Sequence, residues 1–288
     1  MSVPRVRRSP RRARPTTITT GTTPERPPRK RARRKIIVEE KTKQPSPAAK
    51  LRQRELQLYK KGYQCVVGCD EAGRGPLAGP VVAAACYVPQ NIDVDAAGLG
   101  DVHDSKAVKK EDRERMYDFL VNHPGIQYGV SSVSAKEIDQ VNILQASMLA
   151  MHRATENLIK MKNIQPDYVL IDGNRAPWGH ERGKRANGTI READPPMPSC
   201  VEICEPVIKG DGKVFCIAAA SIIAKVTRDR MMAELDVQYP GYNFSQHQGY
   251  PVASHVAAIH KMNGISPVHR LTFRPIKGSH WKTCKQFL

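Results

Sequence analysis

The sequence predicts an α/β domain, a mixed sheet covered by helices, on three observations. Two short apolar runs come first, Cys65-Val66-Val67-Gly68-Cys69 and Val81-Val82-Ala83-Ala84-Ala85-Cys86-Tyr87-Val88, with the composition of buried strands. Segments of strand and helix period then alternate down the chain. The stretch after Pro251 has helical character and adds a small helical C-terminal part. At 288 residues the chain has enough length for one substantial core plus tails.

From Met1 to about Lys50 the chain is Arg, Pro, Thr and Ser with almost nothing to bury, and is expected to be disordered. It holds 16 Lys and Arg against three Glu, so +13 of the net +18 lies there. The folded part is expected to start near Tyr63. This gives a disordered basic extension over residues 1–60, a folded domain over 61–276 and a C-terminal tail over 277–288. The extension reads equally as a spacer, an address signal or an electrostatic tether to nucleic acid. Arg29-Lys30-Arg31-Ala32-Arg33-Arg34-Lys35 has the density of a nuclear signal, while the acid-free first 24 residues suit an organellar presequence.

The two leading strands flank a polar turn, Asp70-Glu71-Ala72-Gly73-Arg74-Gly75-Pro76. A helix over Glu111–Val121 sets Met116, Phe119 and Leu120 on one face, and Tyr128–Val133 is a third strand. Ser134 and Glu137 form a capping box that opens a helix expected to run to about Lys162. Tyr168-Val169-Leu170-Ile171 is a strand ending at Asp172-Gly173. A long helix rich in small residues spans Ile217 to about Asp236. A last helix opens with Pro251 and stops before Gly264. Trp178–Ser199 lacks apolar periodicity and is expected to be an exposed insertion loop.

No apolar run approaches the roughly 18 residues a bilayer crossing needs, and the N-terminus lacks a secretory apolar core. Seven cysteines, an odd number without dense spacing, fit free thiols in a reducing compartment. Cys65 with Cys69, Cys200 with Cys204, and His247 with His255 lack the spacing of a zinc site.

The chemistry gathers on carboxylates. Asp70 and Glu71 end the first strand, Asp172 ends the Tyr168–Ile171 strand, and Asp229 lies on the long helix. Strand ends of an α/β sheet collect reacting groups, so Asp70 and Asp172 converge if their strands are neighbours. Ser221, Lys225 and Asp229 are four apart on one helical face. Such an oxygen-rich, mutually repelling set suits Mg²⁺ or Mn²⁺. Gly73-Arg74-Gly75 lets a backbone approach a sugar or phosphate, and serves as a tight turn equally well. Asp104-Ser105-Lys106 is a polar, cationic loop, and Tyr250 stands before a helix where its ring can face a sugar or base.

Several strings together resemble ribonuclease HII of the bacterial type, in that family's order. They are Cys69-Asp70-Glu71-Ala72-Gly73-Arg74-Gly75-Pro76-Leu77-Ala78-Gly79-Pro80, Asp104-Ser105-Lys106, Glu137-Ile138-Asp139 with Asn142, Leu170-Ile171-Asp172-Gly173-Asn174, Ala218–Asp229, His247-Gln248-Gly249-Tyr250-Pro251 and His269-Arg270. The resemblance covers roughly residues 63–275. It implies a ribonuclease H-like fold and an endonuclease that cuts RNA in RNA/DNA hybrids. It also implies nicking 5′ to a single ribonucleotide in duplex DNA, leaving 3′-hydroxyl and 5′-phosphate ends.

Carried over by that resemblance, Asp70, Glu71, Asp172 and Asp229 are the catalytic acids that hold two divalent ions, Mn²⁺ or Mg²⁺. Gly73, Arg74 and Gly75 sense the 2′-hydroxyl and Tyr250 stacks on the neighbouring sugar, while Ser105, Lys106 and Lys225 are further nucleic-acid contacts. The family usually follows Asp-Ser-Lys with Lys and Leu, where this chain has Ala107-Val108. A monomer acting on hybrids and ribonucleotide-bearing duplexes is expected, in a bacterial cytoplasm, a mitochondrion or a nucleus. Two other classes compete: a non-catalytic nucleic-acid binder, which has no use for the acids, and a nuclease of single strands, which has no use for the glycine loop.

Overall fold

The computed structural model describes residues 45–95, 99–100, 109–178 and 195–287. The elements are α1 (Pro47–Leu51), α2 (Gln53–Lys60), β1 (Val66–Ala72), β2 (Val81–Tyr87), α3 (Lys110–Asn122), β3 (Gln127–Val133), α4 (Ala135–Val141), α5 (Ile143–Lys162), β4 (Tyr168–Asp172), β5 (Ile203–Val207), α6 (Phe215–Gln238), α7 (Phe244–His247) and α8 (Ala253–Lys261). The strands form one mixed sheet in the order β3-β2-β1-β4-β5. β1 pairs antiparallel with β2 and parallel with β4, so β1 and β4 end on the same side.

Val, Ala and Cys fill β1 and β2 because both faces of the sheet centre are covered. α5 packs on one face and α6 on the other. At Gly68 any Cβ would stand 2.3 Å from the carbonyl carbon of Cys216, so glycine is what allows α6 to lie so close to β1. The first half of α6, Phe215–Ala224, is buried throughout. That burial explains its small, apolar composition.

Several expectations change. The predicted helix from Ser134 to Lys162 is two helices. The capping box forms, with Glu137 N–H donating to Ser134 Oγ at 3.2 Å. Asn142, at φ 69°, then ends α4, and its Oδ1 accepts from Leu144 and Gln145 to start α5. The last helix begins at Ala253 rather than Pro251, after a turn closed by Val252 N–H on the Tyr250 carbonyl. β5 was not foreseen, since Glu205 and Pro206 interrupt its apolar character. It is an edge strand, where Pro is tolerated.

The expected disorder over 1–60 fails for 45–60, which forms α1 and α2. Residues 1–44 lie outside the described residues. Ser46 Oγ accepts from Ala49 N–H to open α1, and Leu58 and Tyr59 join a buried apolar cluster with Val66, Leu170 and Ile217. The charged residues that disguised this segment as tail are themselves buried: Arg52 and Glu55 form an ion pair inside the molecule. Glu55 also accepts from Cys216 N–H at 2.7 Å, in the first turn of α6, whose N-cap Val214 makes no side-chain capping hydrogen bond. Burial holds the Glu55 carboxyl above its usual range, against the opposing pull of Arg52 and Cys216.

The expected exposed loop over 178–199 fails at its first residue. Trp178 is buried and donates to His152 Nδ1 at 3.2 Å, and 179–194 lie outside the described residues. Nor is 277–287 a loose tail. Cys284 N–H donates to the Ile265 carbonyl at 2.8 Å, and Trp281 and Phe287 cover a cluster built from Leu77, Tyr242, Phe244 and Ile259. Among the described residues no helix is long and apolar enough to cross a membrane.

Candidate active site

The register of β1 and β4 assembles the site. Cys69 faces Ile171 across the parallel pair, so Asp70 and Asp172 emerge side by side where the two strands end. Glu71 follows Asp70, and the loop 73–80 turns the chain back into β2. α6 crosses beneath and adds Ser221, Lys225 and Arg228. Together these residues and Tyr250 line an open cleft of about 340 Å³, whose walls are Asp70, Glu71, Ala72, Gly73, Arg74, Gly75, Asp172, Ser221, Lys225, Arg228 and Tyr250.

Electrostatics make the acidic wall unstable on its own. Asp70 is buried, and burial raises its pKa well above the usual range, helped by the negative charges of Glu71 and Asp172. Hydrogen bonds from Ser221 and from Glu71 N–H oppose the rise. Burial likewise raises Glu71, with Arg74 pulling the other way. One Glu71 oxygen accepts from Arg74 at 3.2 Å; the other, Oε2, is buried with no hydrogen-bond partner among the described residues. Asp172 Oδ1 accepts from Gly210 N–H at 2.6 Å, which fixes its orientation.

Asp70, Glu71 and Asp172 therefore come together as expected. Asp229 stands apart from the cleft lining and is joined to it through Lys225, whose Nζ donates to Asp229 Oδ1 at 2.6 Å. Among the described residues no three His, Cys, Asp or Glu side chains converge closely enough to hold an ion as they stand. Gly73, Arg74, Gly75, Lys225 and Tyr250 all line the cleft. Ser105 and Lys106 lie outside the described residues.

Gly73 has φ +98°, and a Cβ there would stand 2.0 Å from Arg228 Nε. Only glycine fits. Gly75 differs, because its nearest neighbour would be the Tyr250 ring at 3.6 Å. A side chain at 75 is compatible with the fold and would intrude on the cleft.

Three histidines support Tyr250 from below. Ser266 N–H donates to His269 Nδ1 at 2.9 Å, which leaves the proton on His269 Nε2. That nitrogen lies 3.0 Å from His255 Nε2, so His255 carries its own proton on Nδ1 and donates it to the Tyr250 carbonyl at 2.9 Å. The His247 ring stacks on His255 with centroids 4.3 Å apart. His247, His255 and His269 thus form one stacked and hydrogen-bonded cluster beneath Tyr250. Reasoning from sequence gave no role to His269, Arg228 or Arg270, although each sat within a string already singled out. Ser221 was placed on the right face by its spacing from Lys225.

Solved structures share this fold. Ribonuclease H2 from Pyrococcus horikoshii aligns with TM-score 0.53 and 24% identity over 74% of this chain and 95% of its own. Bst-RNase HIII, solved in complex with Mn²⁺, aligns with TM-score 0.52 and 20% identity over 81% of this chain and 72% of its own. The mixed five-stranded sheet flanked by helices is thus a ribonuclease H-like fold. The family model for ribonuclease HII matches residues 67–284. Ribonuclease HII of Endomicrobium trichonymphae is 42% identical over 219 residues, 76% of this chain and 90% of that protein. The chain belongs to the ribonuclease HII family. It is a ribonuclease H, an endonuclease.

Proposed function

We propose that the chain cuts RNA in RNA/DNA hybrids and nicks duplex DNA on the 5′ side of an embedded ribonucleotide, leaving 3′-hydroxyl and 5′-phosphate ends. The work it would serve is ribonucleotide removal during DNA repair and replication. One observation carries this reading: the acids Asp70, Glu71 and Asp172 share a single cleft with Gly73, Arg74, Gly75 and Tyr250. Acids alone suit any metal-dependent nuclease. A glycine loop and an aromatic ring beside them suit a site that inspects a sugar, and the 2′-hydroxyl is the feature that separates RNA from DNA.

The donor set fits hard divalent cations in kind. It is all oxygen, its members repel one another, and Glu71 Oε2 is buried without a hydrogen-bond partner among the described residues. Asp70, Glu71, Asp172 and Asp229 would hold two ions, Mn²⁺ or Mg²⁺; the Mn²⁺ complex of Bst-RNase HIII supports a divalent ion. When bound, such ions activate water and stabilise the departing oxygen. Asp229 would join the other acids only on release of its bond from Lys225, which would leave that ammonium on the cleft wall for a substrate phosphate. Arg74, half exposed, meets the backbone, and Tyr250 orients the sugar. No nucleophilic side chain is needed.

The test is cleavage of a labelled DNA duplex carrying one ribonucleotide, with Mg²⁺, Mn²⁺ or chelator, beside an all-DNA duplex and single-stranded RNA. Metal-dependent nicking only 5′ to the ribonucleotide is expected. Cleavage of single-stranded RNA at a similar rate would remove the glycine loop from the reading.

A further inference from the structure

We infer that Arg270 is a positioning residue that sets the loop's ability to recognise a ribose. This rests on the reading of Gly73-Arg74-Gly75 as the sugar-sensing segment. The side chain of Arg270 is fully buried, and its guanidinium is spent on main-chain carbonyls. Nη2 donates to Gly73 O, Nη1 donates to Arg74 O at 3.0 Å, and Nε and Nη2 donate to Gly79 O at 3.0 and 2.9 Å. Arg228, equally buried, does the same one step along, donating to Pro80 O at 3.0 Å, Ala78 O at 3.3 Å and Gln248 O at 3.1 Å. Burying a cation against carbonyls is costly even with the Phe273 ring 5.0 Å from the Arg270 guanidinium. The arrangement needs a reason beyond packing.

Peptide geometry supplies one. In a trans peptide the C=O and the next N–H point in opposite directions. Drawing the carbonyls of Gly73 and Arg74 inward therefore turns the N–H groups of Arg74 and Gly75 away from Arg270. No described residue accepts a hydrogen bond from either N–H. Both residues line the cleft. Arg270 thus holds two main-chain donors ready for an oxygen of the substrate sugar, without touching that sugar itself. A lysine does not reproduce this, because its three N–H donors radiate from one nitrogen, whereas the guanidinium spreads four bonds over three nitrogens in a fixed plane.

Asp139 on α4 keeps Arg270 in register. Its Oδ2 accepts from Leu271 N–H at 2.8 Å, and its Oδ1 from Thr272 N–H at 2.9 Å and Thr272 Oγ1 at 2.6 Å, closing the turn that follows Arg270. This gives Asp139 and Arg270 a shared task, since the first anchors the turn from which the second reaches the loop.

The experiment compares binding of two duplexes of one sequence, all-DNA and with one ribonucleotide, in chelator, by fluorescence anisotropy, for the native chain, R270K, D139A and D139N. The native chain is expected to prefer the ribonucleotide. In R270K that preference should fall roughly fivefold, about the worth of one hydrogen bond, while the salt dependence stays unchanged because the charge is kept. kcat should fall about 10²-fold with KM little altered, as misplacement predicts. A folded R270K with native preference would overturn the inference. Should R270K prove unfolded by circular dichroism, the Asp139 pair decides. Lost preference in D139A with partial recovery in D139N, whose single amide oxygen can keep the two Thr272 bonds but not the Leu271 one, supports the inference, and native preference in D139A overturns it. A native chain that fails to distinguish the duplexes would instead sink the sugar-sensing assignment itself.

Discussion

Acidification from pH 8 to pH 5 should loosen the C-terminal part of the molecule through His255 and His269. Both are buried, and both are engaged as neutral rings, His269 accepting from Ser266 and His255 donating to the Tyr250 carbonyl. Burial pushes His255 down to about 4, with the Tyr250 carbonyl opposing and His247 assisting. It pushes His269 down to about 3, assisted by His255. The unfolded chain titrates near 6.5. Between that value and the native ones the unfolded state binds more protons, so stability is full above 6.5 and falls as the pH drops.

At pH 5 both native rings are still neutral, so the loss is set by the unfolded imidazoles alone. It amounts to about 2 kcal/mol for each ring and about 4 kcal/mol together. For a domain of this size that is a drop in Tm of roughly 8–16 °C. Thermal melts followed by circular dichroism at fixed ionic strength measure it. The control is His269→Asn, whose amide oxygen can still accept from Ser266 N–H but which does not titrate. About half of the acid shift should vanish in that variant. Carboxylates raised by burial, Asp70 and Glu71 among them, contribute with the opposite sign, but equally in both proteins. Identical acid shifts in native and variant chains would refute the assignment of neutral, buried imidazoles.

Three further outcomes are expected. Gly73→Ala should destabilise the protein by more than about 2 kcal/mol through strain and the clash with Arg228. Gly75→Ala should melt within roughly 0.5 kcal/mol of native yet lose on the order of 10²-fold in kcat/KM; native turnover in Gly75→Ala would mean that the loop does not approach the substrate. Glu55→Ala should cost about 3–5 kcal/mol in denaturant unfolding, because Arg52 is left buried and the first turn of α6 loses its acceptor. A cost below about 1 kcal/mol would show that α2 is only draped on the core.

The strand ends were legible because an unbroken apolar run followed by a carboxylate admits few readings in an α/β sheet, and Asp70 and Asp172 do meet. Lys225 and Asp229 were legible by their spacing, but the ion pair between them was not, since a four-residue interval says that two side chains can meet and not which other partner competes. Asn142 could not be read as a break: the apolar period runs through it, and only its positive φ splits the helix. Arg52 and Glu55 were hidden for a different reason. Charge is the ordinary mark of a solvated surface, and nothing local distinguishes a charge destined for the end of another helix.

That hidden pair bears on how the site is held together. Ser221, Lys225, Arg228 and Asp229 all ride on α6, so any slide of this helix moves an acid, a cation and half of the loop clamp at once. Ridges of small residues against β1 let the helix lie close, as the contact at Gly68 requires, but small side chains interlock weakly along the axis. An axial stop is needed. Glu55 supplies it at the start of α6 through Cys216 N–H, and Arg228 supplies it farther along through Pro80 and Ala78. α2 stands outside residues 67–284, the span matched by the family model. The geometry of the acidic cleft therefore depends on a segment that composition alone assigns to the tail, and on the proposed function Glu55→Ala should lower turnover by more than its loss of stability explains. Turnover measured well below the melting range separates the two effects: a folded Glu55→Ala chain with native kcat would show that the sheet contacts alone fix the helix.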